Sequence, residues 1–236
     1  MLPTHCTIIL HRSLVYLHVI ANLVKKGFIV FAFDPVGLGE RLEYFDPITG
    51  KSRIGGPTTQ HSYPGAQAFI TGSSQALYMI LDSIRAVDYL LSRKEVDPSR
   101  IGITGWSGGG TQTAYIAAMD DRIYAAAPEN YLTYFTRLLQ TIGPQDAEQN
   151  MPDAISRGID HVDFLLVRAP KPALMITTTC DMFSIQGAME TEKEVAAIYK
   201  AYGQEENFSR IEDDTPHVST KKKQGSHVCL FPETSE

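Results

Sequence analysis

A chain of 236 residues with 43% hydrophobic and 20% charged residues, 18 Gly, 13 Pro and one Trp has the makeup of one ordinary soluble globular domain, read here as residues 1–236. That balance excludes a disordered polymer, which needs fewer apolar residues, a collagen-like fibre, which needs far more Gly, and a disulfide-stapled miniprotein. Lys plus Arg number 21 against 27 Asp plus Glu, a formal net charge of −6, so nucleic acid and anionic membranes are poor partners and a small molecule is the expected one.

The chain opens with Thr7-Ile8-Ile9-Leu10 and Phe28-Ile29-Val30-Phe31-Ala32-Phe33, short apolar runs of the kind that make strands buried on both faces. Between them Tyr16, Ile20, Leu23 and Val24 have helical spacing, and Lys25-Lys26-Gly27 supplies positive charge and a stop. The stretch from Thr7 to Val24 is interrupted by His11, Arg12, His18 and Asn22, so it predicts neither a membrane span nor a tidy signal peptide, and no compartment follows from it. From Gly37 to Gly65 no period is sustained, which predicts a long surface excursion.

A helix is predicted from Ser73 to Leu91, where apolar residues recur at three- and four-residue intervals from Leu77 onward. Ile101-Gly102-Ile103-Thr104 reads as a strand after an Asp97-Pro98-Ser99-Arg100 turn, and Gly109 to Met119 as a helix. Tyr124 to Ala127 and Pro172 to Thr178 are strand-like, and Tyr131 to Ile142 and Ala154 to Leu166 are helical in pattern. A helix from Gly187 to Tyr202 and a strand from Phe208 to Glu212 complete the alternation. Strands alternating with helices imply a mostly parallel sheet flanked by helices. Cys6, Cys180 and Cys229 are odd in number and in no metal-binding spacing, so neither a disulfide nor a zinc site is expected.

Gly105-Trp106-Ser107-Gly108-Gly109 fits G-x-S-x-G between a predicted strand and a predicted helix, the setting of a nucleophile elbow. Residues without Cβ beside a serine held in a strained turn avoid collision with the neighbouring chain, and the following helix points its first amides at the reaction centre. A serine hydroxyl needs a base and a group to orient it. In the order serine, acid, histidine, Asp181 follows the strand ending at Thr178 and His217 follows the last strand. Glu129, after the Tyr124 to Ala127 strand, is the alternative acid, and Asp213 and Asp214 lie close enough in sequence to His217 to perturb it. Gly108, next after the nucleophile, is expected to supply one oxyanion amide. Trp106 reads either as pocket wall or as core aromatic, and Ile142 to Asn150 either as a simple solvated loop, the favoured reading, or as a cap-like segment bordering the site.

With these residues in place the chain resembles the α/β-hydrolase superfamily, and more narrowly the bacterial acetyl xylan esterase-like hydrolases. The narrower resemblance rests on Asp34-Pro35-Val36-Gly37-Leu38-Gly39-Glu40-Arg41, on Asp97 through Gly105, on the elbow and on Asp213-Asp214-Thr215-Pro216-His217. It implies a serine esterase of acetylated carbohydrates or related small esters, with Ser107, Asp181 and His217 as catalytic residues and no metal or organic cofactor. Two departures stand out. Where such enzymes carry His-Gly or a similar pair near the second oxyanion donor, this chain reads Leu10-His11-Arg12-Ser13, and the first strands of the full fold are expected to be missing. Residues 224–236 lack the helical period of a closing helix and are expected to form a disordered tail. The competing readings are a prolyl oligopeptidase-type serine peptidase and a non-catalytic binding protein on a hydrolase fold.

Overall fold

Strands β1 (Cys6–Leu10), β2 (Ile29–Phe33), β5 (Ile101–Trp106), β6 (Ile123–Glu129), β7 (Ala173–Cys180) and β8 (Phe208–Pro216) form one six-stranded sheet in the order β2-β1-β5-β6-β7-β8 in the computed structural model, which describes residues 6–10 and 14–220. Every pairing in that sheet is parallel. The chain moves outward from β1 to β2, then returns to the other side of β1 with β5 and continues to β8. The order therefore reverses between β1 and β5, and a crevice opens at the carboxyl ends of the strands at such a switch point.

The central strands β5, β6 and β7 are buried along most of their length, because helices cover both faces of the sheet. Adjacent residues of β6 point to opposite sides: Ala125 packs with Val19 and Leu23 of α1 (Leu14–Lys25), while Ala126 packs with Val87 and Leu90 of α3 (Gln75–Leu91) and Ile116 of α4 (Gly108–Met119). Helix α7 (Ile185–Ala201) joins α4 on the second face, where Ala188, Val195 and Tyr199 meet Met175 of β7. Helix α3 starts where Ser74 accepts the Leu77 amide at 3.1 Å, a side-chain N-cap. The turn into β5 is fixed by Asp97, whose Oδ1 accepts the Ser99 amide at 2.9 Å. Helix α4 is buried on nearly all sides, and its Thr113 hydroxyl is satisfied within the helix by donating to the Gly109 carbonyl at 2.7 Å.

Three expectations are corrected. Residues 37–65 are not one irregular excursion: a short hairpin of β3 (Phe45–Asp46) and β4 (Lys51–Ser52) is followed by helix α2 (Pro57–Ile70). Pro57 stands in the first turn of that helix, but Pro64 and Gly65 inside it and its buried Gln60 and His61 erase the apolar period. The helix expected from Ala154 to Leu166 is broken into a 3₁₀ turn, Ile155–Arg157, and the four-residue α6, Asp163–Leu166. Gly158 ends the first piece with φ 76°, and Asp160 caps the loop by accepting the Phe135 amide at 2.8 Å. The helix expected from Tyr131 is only α5, Phe135–Thr141, since Tyr131 and Leu132 leave the strand straight into the core. Residues 224–236, expected to lack the closing helix and to form a tail, lie outside the described residues, as does most of the Leu10 to Ser13 departure, while β1 is the first strand among the described residues.

Ile103, 2% exposed in β5 between both helical layers, sets a test of this packing. Ile103→Ala is expected to lower the unfolding free energy by about 2–5 kcal/mol in urea titration; a loss under about 1 kcal/mol contradicts a close-packed core there.

Candidate active site

Ser107 leaves β5 at the sheet reversal with φ 57° and ψ −121°, a conformation that a residue bearing a Cβ rarely adopts. Neighbouring backbone over-determines it: the Ser107 amide donates to the Glu129 carbonyl at 2.9 Å, and the Ser107 carbonyl accepts the Thr111 amide at 2.9 Å. Two glycines let the chain close this tightly. A Cβ on Gly105 would stand 2.6 Å from the Gly109 carbonyl oxygen, and one on Gly110 would stand 2.4 Å from the Glu129 carbonyl oxygen. The turn aims the Ser107 hydroxyl into the crevice and leaves the Gly108 and Gly109 amides, first in α4, without intrahelical acceptors.

The ends of β7 and β8 bring in the other two groups. His217, directly after β8, places Nε2 2.8 Å from Ser107 Oγ and Nδ1 2.7 Å from Asp181 Oδ1. The Asp181 side chain is 2% exposed and fully engaged: Oδ1 also accepts the Phe183 amide at 3.0 Å, and Oδ2 accepts the Thr178 hydroxyl at 2.7 Å. Thr178 in turn accepts from the Asn130 side-chain amide at 3.0 Å. Burial alone would raise the Asp181 pKa, but the hydrogen bonds from His217, the Phe183 amide and Thr178 outweigh it and hold the carboxyl below the usual range. With Asp181 ionised, His217 is held with Nδ1–H toward the acid and the Nε2 lone pair toward the serine, the arrangement that can accept a hydroxyl proton.

The sequence-derived candidates thus converge as Ser107, His217 and Asp181. Glu129, the alternative acid, is 2% exposed at the end of β6 and accepts the Ser219 hydroxyl at 3.2 Å. Trp106 serves both readings at once, lining the crevice and holding its ring 5.0 Å from that of His217. The crevice is a cavity of about 510 Å³ whose walls include Leu38, Trp106, Gly108, Ile142, Met182 and Phe183.

Of the two readings of the 142–150 segment, the structure supports the one that borders the site rather than the favoured solvated loop. Glu148 and Gln149 in the 3₁₀ turn Ala147–Gln149 are 3% and 7% exposed, and both line the cavity. Here His61, Asp146 and Glu148 place one nitrogen and two carboxylate oxygens within 4.8 Å of one another, a cluster able in principle to hold a cation or a proton. Neither His61 nor Glu148 had a sequence signal beyond a histidine in an aperiodic stretch. Thr178 and Asn130 were likewise missed, although Asn130 takes φ 52°, a conformation asparagine tolerates.

The Prolyl oligopeptidase family model matches residues 76–144, from α3 through the elbow to the end of α5. The Bacillus subtilis (strain 168) protein YtaP, named as a hydrolase, is 27% identical over 205 residues, covering 84% of this chain and 62% of YtaP. Among solved structures, the methylesterase BT1017 superposes with a TM-score of 0.74 at 22% identity, covering 98% of this chain and 49% of that one. A Bacteroides fragilis protein described as an acetyl xylan esterase gives 0.71 at 15% identity, covering 89% of this chain and 59% of its own. A glucuronoyl esterase from Caldicellulosiruptor kristjansonii gives 0.69 at 15% identity, covering 97% and 67%. These likenesses show the α/β-hydrolase fold; the chain spans less than two thirds of the length of YtaP and of the methylesterase.

The elbow and the acid each yield a test. Gly110→Ala is expected to cost about 1–3 kcal/mol in denaturant unfolding, since its methyl group meets a backbone oxygen that cannot move aside; wild-type stability contradicts the close approach. Native Asp181 holds its proton less tightly than an unfolded carboxyl, so it adds stability above about pH 4 that is lost as pH falls through its lowered native value. The stability gap between wild type and Asp181→Asn is therefore expected to shrink as urea titrations move from neutral pH into acid, whereas a gap that widens has the wrong sign.

Proposed function

We propose that this chain is a serine carboxylic ester hydrolase that works through an acyl-enzyme and removes acetyl groups from carbohydrates or related small esters. The observation that carries the reading is the hydrogen-bonded series from Ser107 Oγ to His217 Nε2 at 2.8 Å and from His217 Nδ1 to Asp181 at 2.7 Å. In the first half-reaction the Ser107 oxygen attacks the ester carbonyl while His217 takes its proton. The tetrahedral oxyanion forms against the first amides of α4, with Gly108 as one donor. His217 then gives the proton to the departing alcohol, Asp181 stabilising the imidazolium meanwhile. Water repeats the sequence on the acyl-enzyme and releases the acid.

The ester class is supported by the neighbours of like fold, which are named a methylesterase, an acetyl xylan esterase and a glucuronoyl esterase. Acetyl is chosen among them on the resemblance of the Asp34 to Arg41 and Asp97 to Gly105 stretches. The match of residues 76–144 to the Prolyl oligopeptidase family favours a second reading, peptide-bond hydrolysis with the same three side chains.

Purified protein is expected to release p-nitrophenol from p-nitrophenyl acetate, and Ser107→Ala to reduce kcat by at least about 10³-fold without unfolding. Equal rates in two folded proteins would leave a binding protein on a hydrolase fold. Acetylated xylo-oligosaccharides are expected to turn over faster than methyl galacturonate, and a prolyl dipeptide anilide not at all; cleavage of the anilide transfers the conclusion to the peptidase.

A further inference from the structure

The concave surface beside α2 continues past the crevice. A second cavity, of about 420 Å³, adjoins it, and Gln145 lines both. The 145–150 segment stands between them as a ridge: Asp146, Glu148 and Gln149 face the crevice, Ala147 and Asn150 the second cavity. Along α2 the two cavities follow one another, with Thr58 and His61 in the crevice wall and Gly65, Ala66, Phe69 and Ile70 in the wall of the second. At 1.5 Å of rise per residue, His61 and Phe69 lie roughly 12 Å apart along the helix axis. The ridge is fixed in place, since a Cβ on Gly65 would stand 2.3 Å from the Ala147 Cβ and the buried Tyr115 hydroxyl donates to the Gln149 carbonyl at 3.0 Å.

The two cavities differ in charge. The crevice carries His61, Asp146 and Glu148, whereas no residue lining the second cavity is charged. Phe69 and Ile70 stand 69% and 83% exposed at its rim. Asn150 gives its side-chain N–H groups to the Gln145 and Asp146 carbonyls at 2.7 and 3.1 Å, and Gln145 donates to the Gly143 carbonyl at 3.2 Å, so each amide keeps its own oxygen as an acceptor. Gln75, 4% exposed at the start of α3, also lines this cavity, and its Nε2 has no hydrogen-bond partner among the described residues.

A buried amide N–H without an acceptor is unfavourable, and a ligand hydroxyl supplies one. An exposed ring, two amide acceptors and an unsatisfied amide donor, all without charge, match a neutral polyhydroxylated chain, whose C–H faces stack on a ring and whose hydroxyls both donate and accept. An anionic chain would meet no counter-charge here, and an apolar segment would leave Gln75 unpaired.

We propose, resting on the ester hydrolase reading, that the second cavity is a subsite for the unesterified part of a neutral oligosaccharide whose acetylated sugar sits at Ser107. The chain passes the ridge at Gln145, and the sugars beyond it stack on Phe69 and bond to Gln75. A small ester fills the crevice alone, so the subsite acts on KM for chains and leaves the chemistry at Ser107 unchanged.

The test compares wild type, Phe69→Ala and Gln75→Met on p-nitrophenyl acetate, acetylated xylobiose and acetylated xylohexaose, with urea titration of each protein. Wild-type KM is expected to fall about 3–10-fold from the shorter to the longer oligosaccharide. Phe69→Ala, a change at an exposed position, is expected to raise KM for the xylohexaose about 3–10-fold while kcat and the p-nitrophenyl acetate constants stay at wild-type values. Methionine at position 75 keeps the length of the side chain and removes the unpaired donor, so Gln75→Met is expected to raise the same KM about 2–10-fold with no loss of stability. An amide with only a structural role would show the reverse, lost stability at unchanged KM.

A wild-type KM independent of chain length, or a xylohexaose KM that either variant leaves unaltered, overturns the subsite and leaves the ester hydrolase reading standing. A dimer in sedimentation that Phe69→Ala dissociates at unchanged KM assigns this face to a second copy of the chain and overturns it equally. Absence of ester turnover in wild type, with Ser107→Ala no different, overturns the ester hydrolase reading itself and the subsite with it.

Discussion

The close approach of α4 to the end of β5 and β6 is the constraint on which the rest of the site depends. Ser107 can hold φ 57° only because Gly105 and Gly110 let the Gly109 and Glu129 backbones press in, while the Glu129 carbonyl accepts its amide and the Thr111 amide donates to its carbonyl. That compression presents a hydroxyl at the rim of a sheet whose strands are otherwise sealed by helices. It also aligns the amides of a buried helix with the space above the hydroxyl, where negative charge would develop. A side chain at Gly105 or Gly110 would push the helix away and lose both effects together.

Around this point the polar groups are ordered outward by what each one has left to bond. Asn130 donates to Thr178, Thr178 to Asp181, and Asp181 accepts from His217, so the ring facing Ser107 has one orientation available. On the opposite wall the His61 cluster is likewise tied to its surroundings, through the Val36 carbonyl, and Gly37 with φ 84° lets the ring approach to 3.1 Å of where its Cβ would be. The Asp34 to Arg41 stretch thus acts through space on the site. Gly39 makes room for the Asp34 carboxylate, and Arg41 pairs with Asp82 of α3 at 2.6 Å, pinning the loop to the helix that packs beneath it.

Much of the fold was legible in the sequence because the responsible patterns are local. The apolar runs of β5 and β7 are buried on both faces, that of the edge strand β2 is half-buried, and all three are recognisable without their partners; α3 carries its period and its Ser74 cap together. Where helices are held by tertiary contacts the pattern failed. Helix α2 buries Gln60 and His61 where a periodic helix would bury leucine, and the Ala154 to Leu166 pattern yields to a left-handed Gly158 and to Asp160 bonding the start of α5.

The sequence alone pointed to Ser107 and His217 as candidate nucleophile and base and to the parallel architecture, since G-x-S-x-G between strand and helix is a steric requirement written in adjacent residues, and Asp181 and His217 each follow a recognisable strand. Only the tertiary structure decided that Asp181 meets His217, that Glu129 is turned to Ser219, and that Glu148 lies against Gly108 opposite His61. Those facts depend on which segments are brought together across 36, 90 and 87 positions of chain (217 − 181, 219 − 129 and 148 − 61). No local periodicity encodes such pairings; packing at two glycines and the sheet reversal between β1 and β5 does.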